Sequence, residues 1–93
     1  MENENTLKSV LFNSADAVIA GFAMWYDMEA SEPRIRVVYL EKPEYTAVME
    51  KVWDHFEDRC SNMPRDILYE MKFIVERNEG LLMEEWNEKK APK

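Results

Sequence analysis

Glycine is nearly absent from this chain: Gly21 and Gly80 are the only two among its 93 residues. Loops that bind nucleotide phosphates need several closely spaced glycines, because their backbone N–H groups must approach the anion. Two isolated glycines exclude both the Walker pattern and the dinucleotide-binding pattern. Scarce glycine also favours helices over hairpins and loops.

Cysteine and histidine each occur once, as Cys60 and His55. A disulfide within the chain is therefore impossible, which favours a reducing compartment. On the helix predicted below, the two side chains point about 140° apart, so they form neither a catalytic thiol dyad nor a shared metal site. We expect no catalytic residues, no metal and no cofactor, and hence a protein that is not an enzyme.

Long apolar runs are also lacking. The most apolar stretch, 15–26, contains Asp16 and is shorter than the roughly 20 residues of a membrane helix. The first residues are acidic, whereas a signal peptide begins with positive charge. We therefore expect a cytoplasmic protein with one domain, 1–93, whose polar tails 1–5 and 88–93 fray.

Acidic residues outnumber basic ones by 19 to 12, for a net charge of −7. Such a chain is repelled at long range by nucleic acid phosphates and by anionic lipid. We therefore expect neither direct nucleic acid binding nor membrane binding. The expected partner is another protein, with a neutral, basic or DNA-binding surface.

Apolar side chains in the middle of the chain recur at the i, i+3, i+4 spacing of one helical face. They are Tyr45, Val48, Met49, Val52, Phe56 and Cys60. Pro43 suits a first helical turn, where its missing N–H is not needed. The spacing predicts a helix over 44–60.

The next segment has its own helix signals. Ser61 and Asn62 can cap, and Pro64 suits a first turn. An apolar stripe follows, and Gly80 is the residue type common just past a helix end. We predict helices over 64–78 and 81–89, or one kinked helix. Tyr69 and Phe73 lie off the stripe, which indicates a helix covered on two sides, by its own fold or by a second subunit.

The first forty residues fit two descriptions. Five apolar residues fall on one face of a helix over 6–29: Leu7, Leu11, Val18, Phe22 and Trp25. The stretch is also rich in β-branched and aromatic residues, and Ser14 could cap a shorter helix. Residues 34–40 are strongly β-prone and predict a strand. Its partner could be 7–12, 20–26 across a hairpin, or the same strand of another subunit.

The predicted fold is therefore mainly α with a minor β part. It consists of three to four helices and one short strand or β-hairpin near 34–40.

Four acidic residues would share the outer face of helix 44–60. They are Glu50, Asp54, Glu57 and Asp58. On a helix they would place one charge about every 3 Å of axis, close to the roughly 3.4 Å phosphate spacing of one DNA strand. Lys51, His55 and Arg59 flank this stripe and dilute its field. It is a candidate protein-binding site, including for a DNA-mimicking protein.

The face of helix 6–29 opposite its apolar stripe holds small apolar residues. They are Ala17, Ala20, Ala23 and Met24. Such a face lets another helix approach closely, and the chain has more Met and Trp than one small core needs. We therefore predict a homodimer interface there.

The expected function is a non-enzymatic acidic protein–protein interaction module, an inhibitor or adaptor that modulates a larger protein. Phage and mobile-element proteins that block host enzymes are an analogy that rests on size and charge alone. The alternative is a structural homo-oligomer with no other partner. An enzyme whose site is assembled between subunits ranks third.

Overall fold

A computed structural model of the chain describes the backbone of residues 2–91 and the side chains of residues 7–91. Its elements, in chain order, are α1 (Glu2–Ser14), β1 (Ala17–Ile19), β2 (Phe22–Tyr26), β3 (Arg34–Tyr39), β4 (Thr46–Val52), β5 (His55–Ser61), α2 (Arg65–Arg77) and α3 (Glu79–Lys90). The strands form one antiparallel five-stranded sheet in the order β1-β2-β3-β4-β5. The prediction of a mainly helical fold is therefore wrong.

The helix predicted over 44–60 is wrong because this segment folds as the β4–β5 hairpin. Val52 pairs directly with His55, which leaves Trp53 and Asp54 as a two-residue turn. Two-residue turns usually carry glycine or asparagine, and neither is present. Without that signal, the apolar residues of two strands joined by a turn match the i, i+3, i+4 spacing by coincidence.

The helix predicted over 6–29 is also wrong beyond Ser14, where α1 ends. The chain continues into the β1–β2 hairpin, whose turn residues Ala20 and Gly21 have φ angles of 51° and 85°. Positive φ at both central positions is typical of a type I′ turn, which matches the twist of the flanking strands. The strand predicted at 34–40 corresponds to β3, and of its possible partners it pairs with 20–26.

The C-terminal helices agree with the predictions over 64–78 and 81–89. The break falls at Asn78, whose side-chain Nδ2 donates to the carbonyl of Ile74 at 2.8 Å. Gly80 lies inside α3 rather than at a helix end. Helix α3 continues to Lys90, within the tail expected to fray, and Lys90 Nζ donates to the carbonyl of Met28 at 2.8 Å.

The core lies between one face of the sheet and helices α2 and α3. Alternate strand residues point into it, because successive side chains of a strand face opposite sides. These are Phe22, Met24, Tyr26, Ile35, Val37, Ala47, Met49 and Phe56. The helices contribute Met71, Val75, Leu82 and Trp86. Burial of each large apolar side chain stabilises the fold by about 1.5–3 kcal/mol.

Helix α3 runs from the β5 side of the sheet to the β1–β2 side. At its start, Glu79 Oε1 accepts a hydrogen bond of 3.0 Å from the backbone N–H of Phe56. Near its end, Lys89 forms an ion pair of 3.2 Å with Asp16. The buried Tyr26 hydroxyl donates to Glu85 between these points, and burial raises its pKa. These contacts fix the helix across the sheet.

Helix α1 lies on the opposite, outer face of the sheet. Leu11 lines a cleft together with Trp25 and Val38, which alternate with core residues on β2 and β3. Lys8 forms an ion pair of 3.0 Å with Glu41, in the connection between β3 and β4. From Leu7 onward, no side chain of α1 belongs to the core.

Leu81 and Leu82 provide a test of this packing, because adjacent residues of α3 differ sharply in exposure. Leu82 is fully buried, whereas Leu81 is 49% exposed. We expect Leu82→Ala to lower the free energy of unfolding by about 2–5 kcal/mol and Leu81→Ala to change it by less than about 1 kcal/mol. Urea denaturation of both variants measures this. Equal losses would contradict the orientation of α3.

Candidate functional site

The four acidic residues predicted to line one helical face lie on the β4–β5 hairpin instead. Glu50 and Glu57 are directly opposite each other on β4 and β5, and Asp54 lies in the turn that joins these strands. Asp58 forms an ion pair of 3.2 Å with Lys72 of α2. The structure therefore brings three of the acids to one hairpin surface and directs Asp58 to the helix side.

The carboxylate of Glu50 is compensated by two arginines. Arg34 donates to Glu50 Oε2 from Nε at 3.0 Å and from Nη2 at 2.9 Å, and Arg59 Nε lies 3.6 Å from Oε1. Arg34 also reaches Asp27 at 3.4 Å. The hydrogen bonds to Glu50 raise the pKa of Arg34. Because Glu50 is paired, it does not contribute a free negative charge to a phosphate-like row.

His55 joins the other two acids of the hairpin surface. Its Nε2 lies 2.9 Å from Glu57 Oε1, and its Nδ1 lies 3.3 Å from Asp54 Oδ1. The hydrogen bond to Glu57, followed by that to Asp54, raises the pKa of His55 above 6.5. The hydrogen bond from His55 lowers the pKa of Asp54. The imidazole is therefore held by two carboxylates.

A dyad of His55 and Cys60 does not form within the chain. Both residues lie on β5, and five residues of a strand span about 16 Å. The helical angle used to exclude the dyad does not apply, because the segment is a strand, yet the distance excludes it too. Within the part of the chain that the structure describes, no three His, Cys, Asp or Glu side chains are grouped to hold a metal ion.

The small apolar residues predicted as a dimer interface do not share an accessible face. Ala23 and Met24 are adjacent on β2 and fully buried within the chain. Ala17 lies on β1 and Ala20 in the β1–β2 turn. The helix that would have aligned all four does not exist, so this surface cannot receive another helix.

Trp53 is the most exposed large apolar side chain among residues 7–91. It is 93% exposed, and its backbone has a φ angle of +61°. Asp54 beside it has a side chain that is 96% exposed. A positive φ at the first turn position alone is typical of a type II′ turn, where glycine is preferred. We call residues 52–55 the hairpin tip.

A cleft of about 490 Å³ lies on the outer face of the sheet, between α1 and the β2–β3 loop. Its apolar lining consists of Leu11, Trp25, Met28 and Val38. Its polar lining includes Asp27, Glu29 and Arg36. Trp25 and Arg36 are cross-strand partners and form the floor. We call this the outer cleft.

Tyr69 and Phe73 point away from the core on α2, at 59% and 56% exposure. The guanidinium of Arg77 lies 5.5 Å from the centre of the Phe73 ring. The described residues of this chain therefore leave the second side of α2 uncovered. Coverage of Tyr69 and Phe73 by the chain's own fold, one of the two explanations, is therefore not found among residues 7–91.

Comparison of the chain with protein-family models, with curated proteins and with solved structures finds no match in any of the three. No helix in the described part of the chain has the length and apolar character needed to cross a membrane.

Pattern analysis did not single out Trp53, Trp25 or Arg36 as a site. Trp53 would have stood out only if the turn had been recognised, and the dipeptide Trp-Asp is not a turn signal. The pairing of Trp25 with Arg36 follows once 27–33 is taken as a hairpin loop. Asp27 and Pro33, common turn residues, were the available signal for it.

His55 is the chain's single histidine, so its titration can be observed directly. We expect its NMR-detected pKa to lie above 6.5, and Glu57→Gln to lower it more than Asp54→Asn. Because the folded-state pKa is raised, the contribution to stability is fully present below the unfolded pKa and is lost as pH rises through the folded value. A midpoint at or below 6.5 would contradict the two hydrogen bonds.

Proposed function

We propose that this chain is a non-enzymatic protein-interaction module whose docking element is the hairpin tip. The observation that carries the proposal is Trp53, a large aromatic side chain that is almost fully exposed on a left-handed backbone. The module binds a larger protein as an inhibitor or adaptor. It acts in the cytoplasm, where a single unpaired cysteine is ordinary.

The first support for the proposal is energetic. A left-handed conformation costs an L-residue roughly 1–2 kcal/mol relative to a right-handed one. In a folded protein such a cost is normally offset by packing, but the Trp53 side chain is 93% exposed. Folding alone therefore gives no reason for tryptophan at a position that glycine would suit better. Backbone strain of this kind is concentrated at functional sites.

The second support is chemical. Tryptophan is enriched among the few residues that carry most of the binding energy in protein interfaces. The neighbouring Asp54 carboxylate is almost fully exposed, and the chain carries a net charge of −7. The partner that fits is a protein with an apolar pocket for the indole and a basic group beside it.

The acidic residues of the β4–β5 hairpin do not support DNA mimicry. The even charge spacing belonged to a helix that does not exist, and Glu50 is paired with Arg34 and Arg59. A basic partner surface remains part of the proposal, because electrostatic attraction accelerates encounter without phosphate-like spacing.

The alternative is a structural homo-oligomer without another partner. The uncovered aromatic pair Tyr69 and Phe73 favours it, because exposed aromatic residues are typical of interfaces. The two proposals use different surfaces and can therefore be tested separately.

The stability of a Trp53→Gly variant tests the energetic argument. Glycine removes the energetic penalty of the left-handed conformation but increases the entropy of the unfolded chain. We therefore expect the free energy of unfolding to stay unchanged or to rise by up to about 1 kcal/mol. Thermal and urea denaturation measure this. Trp86→Ala, at a buried tryptophan, is the comparison variant, and its free energy of unfolding should fall by about 3–5 kcal/mol. A comparable loss in Trp53→Gly would mean that Trp53 supports the fold.

Binding by the same variant tests the function. A photo-crosslinking amino acid placed at position 52, beside an intact Trp53, in the native host would first identify the protein that contacts the tip. We then expect Trp53→Gly to weaken binding to that purified protein by at least about 2 kcal/mol, roughly 30-fold in Kd. Tyr69→Ala, an exposed aromatic residue on α2, is the matched control and should bind normally. An unchanged Kd for Trp53→Gly would overturn the proposal.

A further inference from the structure

We infer that the outer cleft of one copy of this chain receives the hairpin tip of a second copy. The inference rests on the proposed function, because it uses the tip as a docking element. It names the outer cleft as the acceptor of the tip. It also implies that self-association would control when the tip is available to another protein.

The outer cleft has the size and lining of a binding site for one large side chain. Its volume of about 490 Å³ lies in the range of ligand pockets. Trp25 and Val38 line it from the sheet and Leu11 from α1. An indole inserted there would contact aromatic and aliphatic surface on two sides.

Arg36 supplies the cleft with a positive charge that pairs with no carboxylate among the side chains of residues 7–91. Arg34 and Arg59, on the neighbouring part of the same sheet face, both contact Glu50. Arg36 is exposed and forms no ion pair within 4.0 Å among the side chains of residues 7–91. A ligand that brings a carboxylate next to an aromatic ring would match the cleft.

The hairpin tip carries this combination, with the Trp53 indole next to the Asp54 carboxylate. Among the side chains of residues 7–91, His55 is the ion-pair partner of Asp54, at 3.3 Å, and the Asp54 side chain is 96% exposed. Because Trp53 is 93% exposed, the tip does not enter the cleft of its own chain. The tip is therefore free to enter the cleft of another molecule, and a second copy supplies both groups.

The acidic residues that line the cleft do not oppose this pairing strongly. Asp27 already accepts hydrogen bonds from Arg34 and from the backbone N–H of Glu29. Glu29 is exposed on the β2–β3 loop, where its side chain can remain hydrated. The charge left for a ligand at the floor of the cleft is that of Arg36.

Reciprocal insertion would give a two-fold dimer in which each copy donates one tip and accepts one. Trp53 would then be buried in the dimer and available to another protein only in the monomer. Self-association and partner binding would compete, so the concentration of the chain would control the exposure of its docking element.

Sedimentation velocity of the full-length chain over a concentration series tests the inference. We expect a concentration-dependent dimer, and we expect Trp53→Gly and Arg36→Glu each to weaken it by tenfold or more. Arg65→Glu is the matched control, because Arg65 is an exposed arginine on α2, and it should leave the dimer unchanged.

Mixing variants makes the test specific to a junction between tip and cleft. Trp53→Gly keeps an intact cleft, and Arg36→Glu keeps an intact tip. An equimolar mixture should therefore form a heterodimer through one complete junction, at concentrations where each variant alone is monomeric.

Exchange of charges in the double variant Asp54→Arg, Arg36→Asp should restore association that either single change weakens.

Two results would overturn the inference. One is a wild-type chain that stays monomeric at all concentrations; the other is a dimer unaffected by Trp53→Gly and Arg36→Glu. If crosslinking from position 52 still captures another protein whose binding needs Trp53, the proposed function survives that failure. If Trp53→Gly changes neither mass nor partner binding, both proposals fail. A dimer lost only in Tyr69→Ala would assign self-association to α2.

Discussion

Burial of one face of the sheet beneath α2 and α3 is the constraint on which the rest of the structure depends. Because strand side chains alternate, placing Met24, Val37 and Met49 in the core obliges their neighbours to face outward. The outer face consequently receives Trp25, Arg36 and Glu50. Neither the ion pairs of that face nor the outer cleft was selected independently of the core. Both lie where the register of the buried residues puts them.

The β4–β5 turn contains a large aromatic residue that does not contribute to the core. Val52 pairs with His55, so the two residues between them must reverse the chain in the least possible space. At Trp53 the backbone adopts a left-handed conformation, and the indole extends into solvent instead of the core. A residue that is unfavourable locally and unused in packing is expected where selection acts on contacts with another molecule.

The four acidic side chains of the predicted helix face are arranged differently on the sheet than they would be on a helix. A helix would have presented Glu50, Asp54, Glu57 and Asp58 as a continuous acidic row. The hairpin places Glu50 opposite Glu57 and brings Arg34 to Glu50 and His55 to Glu57, while Asp58 pairs with Lys72. The net charge of −7 is unchanged, but its distribution no longer resembles a phosphate backbone.

The residues alone determined α2 and α3, because proline and the apolar stripe of 67–75 act within one segment. Ser61 and Asn62, expected as caps, form no cap hydrogen bond at the start of α2. They also determined β3, since 34–40 is β-prone without reference to any partner. Tertiary structure decided β1, β2, β4 and β5. Their turns contain left-handed backbone at Ala20, Gly21 and Trp53, which the residue types only partly favour. The pairing of distant strands also overrides the local helical spacing. The acidic residues of the candidate site are visible in the sequence. The exposure of Trp53 and the cleft around Arg36 exist only after the strands pair.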